Sequence, residues 1–282
     1  MRKLLVGAQL LAATLLAISG FVLNPARAIE SPTCFGRTAT ISGSGTLVGT
    51  PGTDVIVGSN SADSISGGGG NDFICSLGGS DLVEGGAGDD SIDGGTEPDS
   101  LVGDNSGFNG STTFDGGGND TIIGGTGADT IAGDNLTFTT PASGGGSDRI
   151  YGGDGGDILI GDNFSSGSGA GATGGGIDNI FGEGDGDSII GDNFTNTGAV
   201  SSTSGDNLSG GPGADGVIGD NLTATGTTSG GGNDRVAGDD SDDQLHGDNL
   251  SLAGDSGTGT DQCLGGNGTD TAANCEIVIG VP

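Results

Sequence analysis

Aspartate recurs every nine residues along much of this chain, and an aliphatic residue stands two places after each one. From Gly49 to Val102 the chain divides into GTPGTDVIV, GSNSADSIS, GGGGNDFIC, SLGGSDLVE, GGAGDDSID and GGTEPDSLV. The sixth residues are Asp54, Asp63, Asp72, Asp81, Asp90 and Asp99; the eighth are Ile56, Ile65, Ile74, Val83, Ile92 and Leu101. The same register continues in pairs: Asp120 and Asp129, Asp148 and Asp157, Asp178 and Asp187, Asp206 and Asp215, Asp234 and Asp243, Asp261 and Asp270. Six units and six pairs make 18 nonapeptides, and 16 carry Val, Ile or Leu at position eight; the last two carry Cys263 and Ala272. Carboxylates are hard oxygen donors of the kind Ca2+ takes, about 6–8 oxygens at a time. One aspartate alone reads as part of a solvated acidic face. A ladder of them stacked ~5 Å apart repels itself unless cations lie between the rungs.

The elements that must position these carboxylates are glycine turns and short strands. Glycine enters φ > 0 conformations, so a Gly-rich hexapeptide can curl its carbonyls towards one point. The three residues after it form a strand whose middle, aliphatic side chain points inward. The full G-G-x-G-x-D turn stands at Gly67–Asp72, Gly85–Asp90, Gly124–Asp129, Gly152–Asp157, Gly210–Asp215 and Gly265–Asp270. Gly182–Asp187 misses two glycines, and Ser201–Asp206 keeps little beyond Gly205 and Asp206. The units resemble the hemolysin-type, or RTX, calcium-binding nonapeptide repeat. The resemblance implies an all-β fold: a right-handed parallel β-roll in which successive nonapeptides form half-turns, with regularly spaced loop insertions. It also implies several Ca2+ ions between stacked turns, held by turn carbonyls and by the sixth-position aspartates. All those named above are candidate ligands except Asp206, whose turn is too degenerate. Folding is then coupled to metal binding.

Composition agrees once the phase is known. The chain has 67 Gly in 282 residues, no Trp and 4 % aromatics. Without periodicity this reads as a disordered chain; with it, the glycines are turn residues around a thin aliphatic core. Residues 1–28 read as a secretory signal peptide, with Arg2 and Lys3, an apolar run and Ala26-Arg27-Ala28 as the cleavage signal. Removal takes three of the six basic residues and no acidic one, so the net charge becomes 3 − 38 = −35. Such a chain is repelled by nucleic acid and by anionic lipid. Its expected partners are calcium ions, with no nucleic acid and no membrane insertion, and its expected location is extracellular. Export through an N-terminal signal departs from the toxins of the family, so only the module is carried over, not the toxin activity. The expected organisation is a cap over 29–48, regular repeats over 49–102, repeat pairs with inserts over 103–273 and a C-terminal cap over 274–282.

A second period begins at residue 103. Gly-Asp-Asn recurs at Gly103, Gly133, Gly161, Gly191, Gly219 and Gly247, at intervals of 28 or 30. An apolar residue usually follows, as at Leu136, Phe164, Phe194, Leu222 and Leu250. Each begins an insert after every second nonapeptide. If two nonapeptides make a turn, the inserts leave one edge as a ladder of loops, with an amide ladder of asparagines and a satellite apolar strip. The competing reading makes each insert an irregular half-turn that switches sides. Such a ladder offers a surface for adhesion or carbohydrate binding; it is also what repeat duplication alone produces. The four cysteines allow three pairings, of which Cys34–Cys75 and Cys263–Cys275 place one staple at each end of the roll. Glu276–Pro282 reads as a capping strand. Regularly spaced carboxylates, a single His at an outward ninth position (His246) and the absence of a separate catalytic segment point away from an enzyme.

Overall fold

A computed structural model describes residues 31–107, 117–167, 171–251, 257 and 259–281. The expected signal peptide, residues 1–28, lies outside the described residues. Within them there is no helix; the chain is a parallel β-roll. It alternates between two long parallel sheets of eleven and ten strands, each sheet taking every second nonapeptide. Where repeats are regular, partners lie 18 residues apart, as in Ile56 with Ile74 and Ile65 with Val83. Where an insert intervenes the step becomes 27, 28 or 30 residues, yet Ile92 still meets Ile122, Ile122 meets Ile150 and Val236 meets Cys263. The nonapeptide phase therefore survives the inserts.

The eighth-position side chains meet between the two sheets. Ile56, Ile65, Ile74, Val83, Ile92 and Leu101 begin a continuous buried column that runs through Leu245 to Cys263. Burying each Val, Leu or Ile contributes roughly 1.5–3 kcal/mol. The column is one side chain wide from each sheet, which is why aromatics are absent from it. Aromatics stand on the flanks instead: Tyr151 stacks on Phe181 with ring centroids 5.2 Å apart.

Both ends are closed covalently. Cys34–Cys75 and Cys263–Cys275 are disulfides, with Cα–Cα separations of 5.7 and 6.0 Å. The first coil already begins at Ile41–Ser42 and Thr46–Val48, inside the segment read as a cap; these strands pair with Val55–Asn60 and Ser64–Gly69. At the far end Ile277–Ile279 adds a last parallel strand to the eleven-stranded sheet.

The inserts all leave from the end of a strand of the ten-stranded sheet, so they stack on one side, and the side-switching alternative does not occur. They are more regular than loops. Leu136–Thr137, Phe164–Ser165, Phe194–Thr195, Leu222–Thr223 and Leu250–Ser251 form a five-stranded parallel sheet. Ala142–Ser143, Ala172–Thr173, Ala199–Ser202 and Thr227–Gly230 form a four-stranded one. The asparagines make the amide ladder: each Nδ2 of Asn135, Asn163, Asn193 and Asn221 donates to the next Oδ1, at 2.8–3.0 Å. Phe164, Phe194, Leu222 and Leu250 cover Ile160, Ile190 and Ile218. These isoleucines hold the ninth position, expected to face outward, and the inserts turn that position into a second core. His246, the ninth residue of its unit, is accordingly half-buried.

Candidate metal centre

The eighteen aspartates form two ladders, one at the head of each long sheet. Asp54, Asp72, Asp90, Asp120, Asp148, Asp178, Asp206, Asp234 and Asp261 precede strands of the eleven-stranded sheet; Asp63, Asp81, Asp99, Asp129, Asp157, Asp187, Asp215, Asp243 and Asp270 precede strands of the other. All are buried. Within each ladder the backbone N–H of one aspartate donates to Oδ1 of the aspartate in the next coil, at 2.7–3.1 Å. From Asp72 and Asp81 onward, Oδ2 is buried without a hydrogen-bond donor. Buried oxygens of this kind are costly and call for a partner. The first rung differs: Thr50 donates to Asp54 Oδ2 through its N–H and hydroxyl, and Ser59 does the same for Asp63.

The unpartnered oxygens point at glycines. A side chain at Gly152 would place its Cβ 2.5 Å from Asp157 Oδ2 and 2.7 Å from the Gly182 carbonyl oxygen. At Gly94 the corresponding atoms are Asp99 Oδ2 and the Gly124 carbonyl oxygen, both 2.7 Å away. Beside Gly124 and Gly182 as well, the gap is a meeting point of a carboxylate and a carbonyl from the next coil. Ser76 is the exception: its hydroxyl occupies the corresponding gap and donates to the Gly94 carbonyl at 2.7 Å.

In the inserted coils the first residue of the turn is not where local spacing puts it. The gap for Asp120 is beside Gly103, for Asp148 beside Gly133, for Asp178 beside Gly161, for Asp206 beside Gly191 and for Asp234 beside Gly219. The insert lies inside the turn, between its first residue and its aspartate, rather than after a completed unit. This explains Asp206. Its local hexapeptide looks degenerate because its true opening residue is Gly191, 15 positions back; the structure puts it in the ladder with the others.

Burial governs the electrostatics. Desolvation pushes Asp90 and Asp99 up to about 8, Asp187 to about 7, and Asp72, Asp157 and Asp215 to about 6. Neighbouring rungs oppose ionisation further, as Asp72 does for Asp90 and Asp81 for Asp99. The metal-free ladder is therefore strained by its own charge at neutral pH. The donors facing the gaps are all oxygens, carboxylate and carbonyl, which suits a hard divalent cation such as Ca2+. Among the described residues no three His, Cys, Asp or Glu side chains converge on one metal position, so a cation there draws the rest of its shell from backbone carbonyls.

Comparison with known proteins agrees with this pattern. The model of the RTX calcium-binding nonapeptide repeat matches residues 41–74, 48–83, 76–105, 112–135, 142–165 and 228–249. No curated protein matches the chain. The longest stretch without a match, 166–227, contains the degenerate turns, yet both long sheets pass through it unbroken.

Proposed function

We propose, for a chain that carries RTX calcium-binding nonapeptide repeats along both carboxylate ladders, an exported and non-enzymatic calcium-binding β-roll that folds when it meets extracellular calcium and serves a structural role outside the cell or on its surface. The observation that carries the reading is the row of buried Oδ2 atoms without a donor, which at coil after coil, as at Gly94, Gly124, Gly152 and Gly182, meet a carbonyl oxygen of the next coil beside a glycine. The aspartates of both ladders, Asp206 included, are the proposed ligands. Two cystine staples suit an oxidising compartment. Among the described residues no helix is long and apolar enough to cross a membrane.

Calcium titration of the chain from Ile29, followed by far-ultraviolet circular dichroism and native mass spectrometry, tests this. The expected result is a cooperative gain of β signal at millimolar calcium with several bound ions. A chain equally folded, or equally unfolded, with and without calcium overturns it.

A second reading, glycan adhesion, is favoured by one observation. The four-stranded insert sheet carries a row of hydroxyls, with Ser143, Thr173 and Ser229 exposed and Ser201 half-exposed. A shallow cleft lined by Gly174, Ser201, Ser202, Thr203 and Ser229 runs beside it. Binding to a polysaccharide array that disappears when Thr173 and Ser201 become alanine supports adhesion; unchanged binding removes it.

A further inference from the structure

The aspartates of Gly-Asp-Asn are not explained by the two ladders. Asp104, Asp134, Asp162, Asp192 and Asp220 are fully buried, at 0 % exposure. Their backbones form a third column, with each of the first four donating its N–H to the carbonyl of the next. Side-chain oxygens are held within the insert itself: the Gly118, Gly176 and Gly232 N–H groups donate to one oxygen of Asp104, Asp162 and Asp220, the Ser202 and Ser204 hydroxyls to one oxygen of Asp192, and the Gly146 N–H is shared by both oxygens of Asp134. The other oxygen has no donor at Asp104 Oδ1, Asp162 Oδ2, Asp192 Oδ2 and Asp220 Oδ2.

These aspartates directly follow the glycines that open the wide turns. Gly161 is the residue beside which Asp178 Oδ2 and the Gly191 carbonyl meet, and Asp162 is next in the chain. In the ordinary turn at Gly152 the next residue is Gly153, and no second carboxylate stands there. The insert carries the chain away between the first residue and the aspartate, so a wide turn forfeits the nearby carbonyls that a compact hexapeptide supplies. A carboxylate at its second position restores an oxygen.

We propose that Asp104, Asp134, Asp162, Asp192 and Asp220 form a third ligand ladder, completing with Asp120, Asp148, Asp178, Asp206 and Asp234 a row of divalent-cation sites that contain two carboxylates each. The proposal rests on the calcium reading above and goes beyond it: the two edges of the roll then hold chemically different sites, one carboxylate per ion on the compact edge and two on the insert edge. Electrostatics agree. Burial holds Asp162 far above the ordinary carboxylate range, with Asp178 the next contributor, and pushes Asp220 up to about 9, with Asp234 next. More charge per site gives tighter binding of a divalent ion, so the insert edge fills first in a calcium titration.

The test counts ions. Asp134→Asn, Asp162→Asn and Asp192→Asn are combined in the chain from Ile29; asparagine keeps the oxygen that accepts from the insert. Native mass spectrometry in calcium is expected to show one bound ion fewer for each aspartate replaced, and calorimetry to lose the tightest class of site. An unchanged count, or infrared absorption from protonated carboxyls that persists at neutral pH in calcium, overturns the proposal: the column is then a hydrogen-bonded acid ladder. If the triple variant does not fold, Asp162→Asn alone gives the count, with one ion lost supporting the proposal and none lost overturning it. A parent chain that binds no calcium fails the broader reading instead, so the two failures are distinguishable.

Discussion

Ser76 and Gly152 occupy equivalent positions at the opening of a turn, and their difference isolates what the gap is for. At Gly152 the space between Asp157 Oδ2 and the Gly182 carbonyl is free of side chain. At Ser76 a hydroxyl fills it and satisfies the facing carbonyl. Gly152→Ala puts a methyl group where two oxygens converge. It is expected to remove one calcium ion from the count and to destabilise the calcium-loaded roll by about 1–3 kcal/mol, the usual cost of overpacking; chemical denaturation in calcium with native mass spectrometry measures both. Retention of the ion places the cation elsewhere. The second position of the turn shows a different tolerance. Leu77, Glu183 and Asp239 adopt φ of 81°, 73° and 71° where other coils use glycine, so a missing glycine there weakens a repeat without ending the ladder. That is why Gly182–Asp187, which departs from the motif, still stacks Asp187 between Asp157 and Asp215.

At the scale of elements, the strand column was legible and the inserts were only partly so. Position-eight aliphatics announce a core through strict phase, and Ile122, Ile150 and Ile180 fall into it across inserts of unequal length. The place of Asp206 in the ladder and the burial of the Gly-Asp-Asn aspartates are hidden in the sequence for one reason. Spacing within a hexapeptide cannot show that a turn opens 14–17 residues before its aspartate closes it. The available signal was the recurrence of Gly-Asp-Asn itself, whose glycine takes the turn's first place. The insert strands were hidden because two-residue strands such as Phe164–Ser165 have no periodicity of their own; stacking on identical neighbours orders them. Their stability therefore depends on the asparagine ladder. Asn193 receives Asn163 Nδ2 at 2.9 Å and donates to Asn221 Oδ1 at 3.0 Å and to the Gly174 carbonyl at 2.8 Å. Asn193→Ala removes the amide partner of one Asn163 N–H, whose Nδ2 keeps the Gly144 carbonyl, and of Asn221 Oδ1, and an expected cost of about 1–3 kcal/mol follows. Hydrogen exchange should quicken across the inserts while the strands of the long sheets stay protected; uniform quickening would show that inserts and roll fold as one unit.

For the whole molecule, charge decides when the roll exists. The chain has 38 acidic and 6 basic residues, and desolvation raises most of the buried carboxylates above their ordinary range. The metal-free fold thus retains protons that the unfolded chain releases near pH 4. A raised carboxyl pKa makes stability fall as pH rises. In chelator, folding is expected to be most favourable below about pH 4 and to weaken progressively as pH rises through about 8, the value reached by Asp90 and Asp99, to about 9, the value reached by Asp220. Calcium removes that dependence at neutral pH by replacing the protons, and its binding releases them; circular dichroism against pH, with and without calcium, follows both curves. A metal-free β signal that grows as pH rises reverses the sign and refutes this electrostatic account. The claim on which everything else depends is that cations lie in the glycine gaps. A crystal grown in calcium, with its anomalous difference map, addresses it directly: the account predicts a row of peaks beside Gly94, Gly124 and Gly152, each about 2.3–2.6 Å from Oδ2 of Asp99, Asp129 and Asp157. Gaps filled by water, with no anomalous signal at saturating calcium, would contradict it.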